Sequence, residues 1–494
     1  MKKNTIIIVL TVIMFCFTNV GAKDTGSIKT LSPLSYGLSE ATTGIERFKV
    51  LEKCHKDAVA KNAAISYAGI KTLDIEIPAE PKSIPLPNEV DFAGVQINVL
   101  NIQKDISLFA RVDNPSPIEV SKESIDRGRF LNIPVLRNGR NLLVIEDANP
   151  WVENRKGYNY GATRRDVLVV ENGVAKNSVT FPYNNEYSSP KASVVPTGKP
   201  QIYKNLKFFR DARSTKKTYL FFINYSYDVT ISNVVITTPQ DNDLYGDGAI
   251  QFKNSAKVHL NDVTVDGTYS QTSGGYGYGF NLNNVALITC ERLYARSRWG
   301  VFGTNNVNGA VLRDCDINRF DIHCYGRDVR CYNCKFSDMY NQFSSVFGEI
   351  YYENCYFINF NPVLNGSSYN AYTAFDLTFK KCTFNLTAKK NSIVSLTMLE
   401  ETHNPRPELS RKALPNITLK NCMVNLADDV KKWYIFNTGK VTYKETLDYI
   451  EKIEVTDMKI NGNVDYKVFS TKIKTTQPVK LKRSRVKMVN TYTF

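Results

Sequence analysis

The chain has 494 residues, 43% of them hydrophobic and 12% aromatic, and its 63 lysines and arginines outnumber 48 acidic residues for a formal charge of +15. That apolar share excludes a disordered chain, and the length suits one long repeat structure or about two to three globular domains. The positive excess favours an acidic partner, an acidic polysaccharide or lipid headgroups and less often nucleic acid, although it also suits plain solubility.

Residues 1–22 read as a cleaved signal peptide, with a single uncleaved anchor as the alternative. Lys2 and Lys3 form a basic start, Ile6 to Phe17 is mostly apolar, and Val20-Gly21-Ala22 puts small residues before a cut ahead of Lys23. Phe15 is too large to precede a lipidated Cys16. No later stretch reaches about 18 apolar residues, so no transmembrane segment is expected in the mature chain. The expected location is the periplasm, the cell surface or the extracellular space.

Residues 23–104 are expected to hold an N-terminal cap and the first strands. Ile45, Phe48, Leu51, Cys54 and Ala58 fall at helical spacing within 44–63, with Thr43 placed to cap them. A helix ahead of a run of strands suits the end of a solenoid, where an open edge would expose core and unpaired backbone. Leu73 to Ile77, Ser83 to Pro87 and Gly94 to Leu100 read as strands, the first two kept short by Pro78, Pro81, Pro85 and Pro87.

Residues 105–200 fit no repeat and read as an insertion or as irregular turns of the solenoid. Asn149 to Tyr160 is a polar-aromatic segment containing Trp151, with Arg164 and Arg165 close behind. Aromatic rings near arginines stack on sugars and hold carboxylates or sulfates, which makes Trp151 a candidate substrate-binding residue. The same composition fits a segment packed on a solenoid flank.

Residues 201–494 carry the repeat. The pattern apolar-x-apolar-x-polar-apolar-x-apolar occurs at Val229 to Ile236 and Val258 to Val265, more loosely at Val285 to Arg292, and then six more times to Ile460. Its aligned apolar position is Val234, Val263, Cys290, Cys315, Cys334, Cys355, Cys382, Cys422 and Met458, at intervals of 19 to 40 residues. A fixed core with variable spacing means a constant rung with loops of different length. Alternation at period 2 on either side of an Asn or Asp means two short strands joined by a bend. Repeats of this length and form point to an all-β parallel β-helix solenoid with an N-terminal helical cap. A sandwich or propeller fits less well, because Asn-Gly hairpin signals are scarce.

Ten cysteines in an exported chain invite a disulfide framework, but six of them share the aligned position and Cys331 points inward on its own rung. Stacked along an interior they act as small hydrophobes, with an occasional bridge between rungs left open. Asp241, Asp243 and Asp247 offer hard oxygens to Ca²⁺, yet Asp/Gly loops are also ordinary turns, and no metal or other cofactor is assigned. The Gly/Tyr-rich loop from Asp266 to Tyr278 suits a cleft wall.

Titratable residues crowd most densely between Trp299 and Asn361. If Ile322 and Cys324 point inward, then Asp321, His323 and Tyr325 point outward on one strand face. Arg298 and Arg319 then stack one rung apart, with Tyr278 on the preceding rung and Tyr340, Gln342 and Ser344 on the next. Arg298 and Arg319 suit a uronate carboxylate bound bidentately. His323 or Tyr325 would take the proton beside that carboxylate while the other protonates the leaving oxygen, and Asp321 would orient His323. The candidate catalytic residues are thus His323, Tyr325, Arg319 and Asp321. Arg298, Arg327, Trp151 and Tyr278 are candidates for substrate binding, with Glu349 near enough in sequence to join. The competing reading is a surface histidine and Arg–Asp pairs that only tie rungs together.

Over roughly residues 70–470 these rungs resemble the pectate-lyase-like right-handed parallel β-helix superfamily. Trp299-Gly-Val-Phe-Gly-Thr-Asn305 and Arg319-Phe-Asp-Ile-His-Cys-Tyr-Gly326 are similar to segments of secreted Bacteroides-type β-helix proteins, a group largely without assigned function. The resemblance implies a polysaccharide lyase, glycoside hydrolase, esterase or depolymerase. Polygalacturonase-type hydrolases carry paired aspartates on successive rungs, of which Asp247-Gly248 is a faint echo, and the acid cluster of calcium-dependent lyases is incomplete. The leading expectation is cleavage of an acidic, uronate-containing polysaccharide by β-elimination. The alternatives are hydrolysis of the same substrate class and a non-catalytic glycan-binding or surface structural protein.

Overall fold

A computed structural model of the chain describes residues 29–102, 104–152, 162–180, 182–184, 186, 188–210, 218–237, 249–266, 278–296, 300–343, 346–364, 374–396, 415–438, 452–462, 464, 466–470, 480–484 and 487–489. The expected signal peptide, the loop with Asp241, Asp243 and Asp247, and Arg298 lie outside these residues.

The described strands form two sheets, a continuous one of 32 strands and a separate one of five. The large sheet is parallel and winds as a solenoid. Ile250–Asp266 pairs with Tyr278–Glu291, that strand with Gly300–Arg313, and that in turn with Phe320–Tyr332. The bends are set by single residues in left-handed backbone. Asn233, Asp262, Arg292, Asp314, Asn333, Asn354, Lys381, Asn421 and Asp457 all have φ between 50° and 56°. Asn and Asp tolerate that region better than other side-chain-bearing residues, which explains their recurrence. Their amides also link rungs: Asn333 Nδ2 donates to Asp314 Oδ1 at 3.0 Å and Asn354 Nδ2 to Asn333 Oδ1 at 2.9 Å.

The residue after each bend turns into the core. These are Val234, Val263, Leu293, Cys315, Cys334, Cys355, Cys382, Cys422 and Met458, all buried. The loosest repeat therefore aligns on Leu293. Cys290 sits one strand earlier, between Leu260 and Leu312 on the neighbouring rungs. The eight described cysteines are free and buried. Burial pushes the Cys290 thiol up, as befits a side chain used for packing. Aromatic stacks run through the same interior, with Phe336, Phe357 and Phe384 at centroid spacings of 5.4 and 4.9 Å.

The helix Gly44–Lys61 closes the N-terminal end. Thr43 and Glu46 form a reciprocal capping box, and Phe48, Leu51, Cys54, His55 and Ala58 are buried against the first rungs. His55 Nδ1 lies 2.9 Å from the Pro85 carbonyl and Nε2 lies 2.9 Å from the Tyr67 hydroxyl. A carbonyl only accepts, so Nδ1 carries the proton and Nε2 accepts from Tyr67.

Among the described residues the solenoid is interrupted once, between its early rungs. Ile106–Val112, which the sequence groups with the irregular segment, is a solenoid strand paired with Thr218–Asn224. Between Val112 and Gln201 the chain builds the five-stranded antiparallel sheet. Leu143, Ile145, Leu168, Val170 and Val194 on one face pack with Ile125, Phe130 and Leu136. Leu142, Val144, Val167, Val169 and Val195 on the other face pack on Tyr227, Ala256 and Ala286 of the solenoid. Strands covered on both faces read as apolar runs rather than alternations, which hides the module from a period-2 scan. Arg164 is an internal clamp of this module. It donates to Asp147 Oδ2 at 2.7 and 3.1 Å and to the Pro182 carbonyl at 2.8 Å. Among the described residues no helix is long and apolar enough to cross a membrane.

Candidate functional site

Phe320 and Ile322 open the strand Phe320–Tyr332 by pointing into the core, where Phe302 stacks between Phe280 and Phe320 at 4.8 and 5.1 Å. Arg319 and Asp321 alternate with them and leave the core on the other side. They do not form the open outward face that the alternation predicts: their side chains are 1% and 0% exposed. Arg319 Nη2 meets Asp321 Oδ2 at 2.5 Å. The Gln342 backbone N–H donates to Asp321 Oδ1 at 3.0 Å, and the Tyr278 hydroxyl donates to Asp321 Oδ2 at 3.2 Å.

Tyr278 reaches Asp321 from two rungs away because the intervening strand carries Gly300 and Gly303, which pair with Tyr278 and Asp321 respectively. Opposite charges two residues apart on one strand face neutralise each other, and the glycine gap lets a tyrosine close over them. Burial opposes the Arg319 charge, but the adjoining Asp321 carboxylate outweighs it and holds the guanidinium above its ordinary pKa.

The alternation also breaks at His323. Ile322 pairs with Thr304 and Cys324 with Asn305, so His323 is an extra residue relative to the preceding rung, at a β-bulge. Bulges re-aim side chains and recur beside active sites. The bulge curls Ile322 back over Gly326, where an added Cβ would stand 2.6 Å from Ile322 Cγ2. The side chains of His323 and Tyr325 lie outside the described residues. Trp151 belongs to the strand Arg140–Val152, and its side chain also lies outside them.

Arg327 and Glu349 are engaged away from this cluster. The Arg327 guanidinium donates to the Thr180 and Val179 carbonyls at 3.2 and 3.4 Å, tying the solenoid to the flanking module. Glu349 pairs with Arg330 at 3.2 Å. The sequence gives no hint of one member of the cluster. Lys390 Nζ lies 5.1 Å from the centroid of the Tyr340 ring, and Arg319 Cζ lies 4.4 Å from the same centroid. Lys390 also donates to Asn361 Oδ1 at 3.5 Å. Its pKa is lowered by burial and then by the neighbouring Arg319 charge. It lies three rungs along from Arg319, through the strands that open at Tyr340, Asn361 and Ser392, so only the winding brings them together. The cluster is thus a neutralised ion pair, two tyrosines and a half-buried ammonium beside a bulge. Among the described residues no group of three or more His, Cys, Asp or Glu side chains is placed to hold a metal ion.

Among solved structures, the tailspike gp61 of Pseudomonas phage phi297 is similar with a TM-score of 0.50 at 10% identity, over 91% of this chain and 84% of that one. The fold is a right-handed parallel β-helix. Two further β-helix likenesses are the gp54 tailspike of Acinetobacter baumannii bacteriophage AP22, solved with capsular saccharide, and an exopolygalacturonase from Thermotoga maritima. The first has a TM-score of 0.44 and 11% identity, over 93% of this chain and 76% of that one. The second has a TM-score of 0.30 and 10% identity, over 93% and 91%. No family model matches the sequence, and no curated protein matches it. A parallel β-helix hosts many chemistries, so its function has to be argued from its side chains.

Proposed function

We propose that the chain is an exported polysaccharide-active β-helix protein that cleaves an acidic, uronate-containing polysaccharide by β-elimination. Lys390 carries the argument. It is a half-buried cation whose partners among the described residues, the Asn361 amide and the Tyr340 ring, leave its charge uncompensated. A carboxylate from outside the chain supplies what Asn361 and Tyr340 do not, and an anionic sugar chain laid across parallel strands brings one at each residue. In this reading Lys390 and Arg298 meet the uronate carboxylate. His323, at the bulge, removes the proton on the adjacent carbon. The C–O bond then breaks to leave a carbon–carbon double bond, and Tyr325 protonates the departing oxygen. Arg319 and Asp321 act as positioning residues, fixing Tyr278, Tyr340 and the Gln342 backbone around the bulge.

A non-catalytic glycan-binding role is the second reading. It is favoured by the mutual neutralisation of Arg319 and Asp321, which keeps both from direct contact with a substrate. Hydrolysis is less well supported, because the carboxylate described in the cluster, Asp321, is buried and paired with arginine.

Ultraviolet absorbance of unsaturated uronate ends, followed on a panel of uronate polysaccharides, separates the readings. Elimination predicts rising absorbance that is lost in His323→Ala and shows a raised KM in Lys390→Ala. New reducing ends without absorbance mark a hydrolase. Lys390-dependent binding with no product marks a binding protein.

A further inference from the structure

The flanking module joins the solenoid through two crossings of the chain, outward at Asp113-Asn114 and inward at Thr197 to Pro200. A pocket of about 270 Å³ lies between them. Its floor and walls include Arg111, Asp113, Lys199, Gln201, Tyr225 and Tyr227.

Most of its polar atoms are committed to holding the junction. Asp113 Oδ1 accepts from Arg111 Nε at 2.8 Å, and Asp113 Oδ2 accepts from Gln201 Nε2 at 3.1 Å and from the Ser226 hydroxyl at 3.3 Å. Those bonds fix the Gln201 amide so that its other end, Oε1, is a buried acceptor without a hydrogen-bond partner. Gln201 is 3% exposed, so this acceptor cannot turn to bulk solvent. A buried acceptor left unmet destabilises its surroundings, and a bound donor relieves that.

We propose that this pocket binds a single pyranose unit, as a carbohydrate site separate from the Arg319–Asp321 cluster. A sugar hydroxyl donates to Gln201 Oε1, the apolar face of the ring lies on tyrosine, and Lys199 at the exposed rim meets a carboxylate when the sugar is acidic. The volume falls just below the roughly 300 Å³ at which drug-sized sites begin, which suits one sugar ring and not a chain lying lengthwise. Through the strand pairs, four rungs separate the end of Thr218–Asn224 from the start of Phe320–Tyr332. At about 4.8 Å per rung that is roughly 19 Å along the axis, so one long polysaccharide can span both sites. The inference takes its ligand class from the carbohydrate reading and does not depend on cleavage.

The test is saturation-transfer NMR on the full chain with glucuronate, galacturonate, galactose and N-acetylglucosamine as probes. Gly198 lines the pocket, has an ordinary φ, and an added Cβ there meets nothing within 4 Å. Gly198→Phe therefore plugs the pocket without straining the backbone. At least one monosaccharide is expected to bind saturably to the wild type and to lose its signal in Gly198→Phe. Gln201→Leu should weaken binding about tenfold, the loss of one hydrogen bond to a hydroxyl. No saturable binding of any probe, or binding indifferent to Gly198→Phe, overturns the proposal. Neither result bears on cleavage, which is read separately by absorbance.

Discussion

Arg319 and Asp321 show how one spacing in a sequence can mean two things. Two residues apart on a strand, they share a face, which is why they read as an outward patch. The same spacing places opposite charges 2.5 Å apart, and burial follows once Tyr278 closes over them. A buried pair gains little over apolar residues of the same shape, but losing one partner strands the other charge. Asp321→Ala is accordingly expected to cost about 3–5 kcal/mol in urea unfolding, with the double variant Arg319→Met, Asp321→Ala less harmful than that single change. If Asp321→Ala unfolds within about 1 kcal/mol of wild type, the pair is not holding this rung. Lys390 behaves differently, because its burial is partial and its partners among the described residues, Asn361 and Tyr340, are uncharged. Its removal should leave the unfolding midpoint nearly unchanged and appear in ligand affinity. Nothing around Lys390 in the sequence distinguishes it from Lys389, since the property that matters is contact with Tyr340 across rungs.

At the level of the rung, the bend is a left-handed residue followed by a core residue, and that pair is what made the fold readable from the sequence. Asn and Asp at Asn233, Asp262, Asp314, Asn333, Asn354, Asn421 and Asp457 mark it through their backbone preference. Where the marker is absent, the reading slips. Arg292 occupies the bend without any such preference, and the pattern aligns three residues early, on Cys290 instead of Leu293. Lys381 is the other exception, at φ 55° with a side chain that gains nothing from the left-handed region. Lys381→Asn should therefore stabilise the solenoid by roughly 0.5–1 kcal/mol, seen as a higher denaturant midpoint, and an unchanged or lower midpoint would refute this account of the bend. The bulge at His323 was not legible for a different reason. An inserted residue shifts register without altering the local apolar pattern, and it shows only when Thr304 and Asn305 are set opposite Ile322 and Cys324. Gly326 is its local support. Gly326→Ala places a methyl group against Ile322 and should cost about 1–3 kcal/mol while lowering any activity that uses His323.

Across the whole molecule, two buried titratable groups oppose each other in nearly the same pH range. His55, under the cap helix, is fully buried, and its pKa is lowered to about 4 from 6.5, chiefly by burial. Between those values the unfolded chain binds a proton that the folded chain does not, so His55 makes stability rise with pH from about 4 to 6.5. Asp166, in the flanking module, is raised to about 6 from 3.8, again chiefly by burial. Hydrogen bonds from Thr180 and Tyr183 pull it back only in part. Here the folded chain holds the extra proton, so Asp166 makes stability fall as pH rises from 3.8 to about 6. Each contribution is of order 3 kcal/mol at its limit. If cap, solenoid and module unfold together, the two slopes largely cancel and the wild-type midpoint stays nearly flat from pH 4 to 6. His55→Gln should then uncover a stability that falls with pH, and Asp166→Asn one that rises with pH. If the module instead opens on its own, Asp166→Asn changes only the exchange protection of amides in Arg140–Val152 and Ala162–Glu171, while the solenoid keeps the His55 slope. Hydrogen exchange at pH 4.5 and 6.5 on the two variants distinguishes these cases. Equal slopes of the same sign in both variants would contradict the assignment of either group. The contacts that Arg327, Tyr227, Ala256 and Ala286 make with the module favour joint unfolding, because its second apolar face is buried only while it sits on the solenoid.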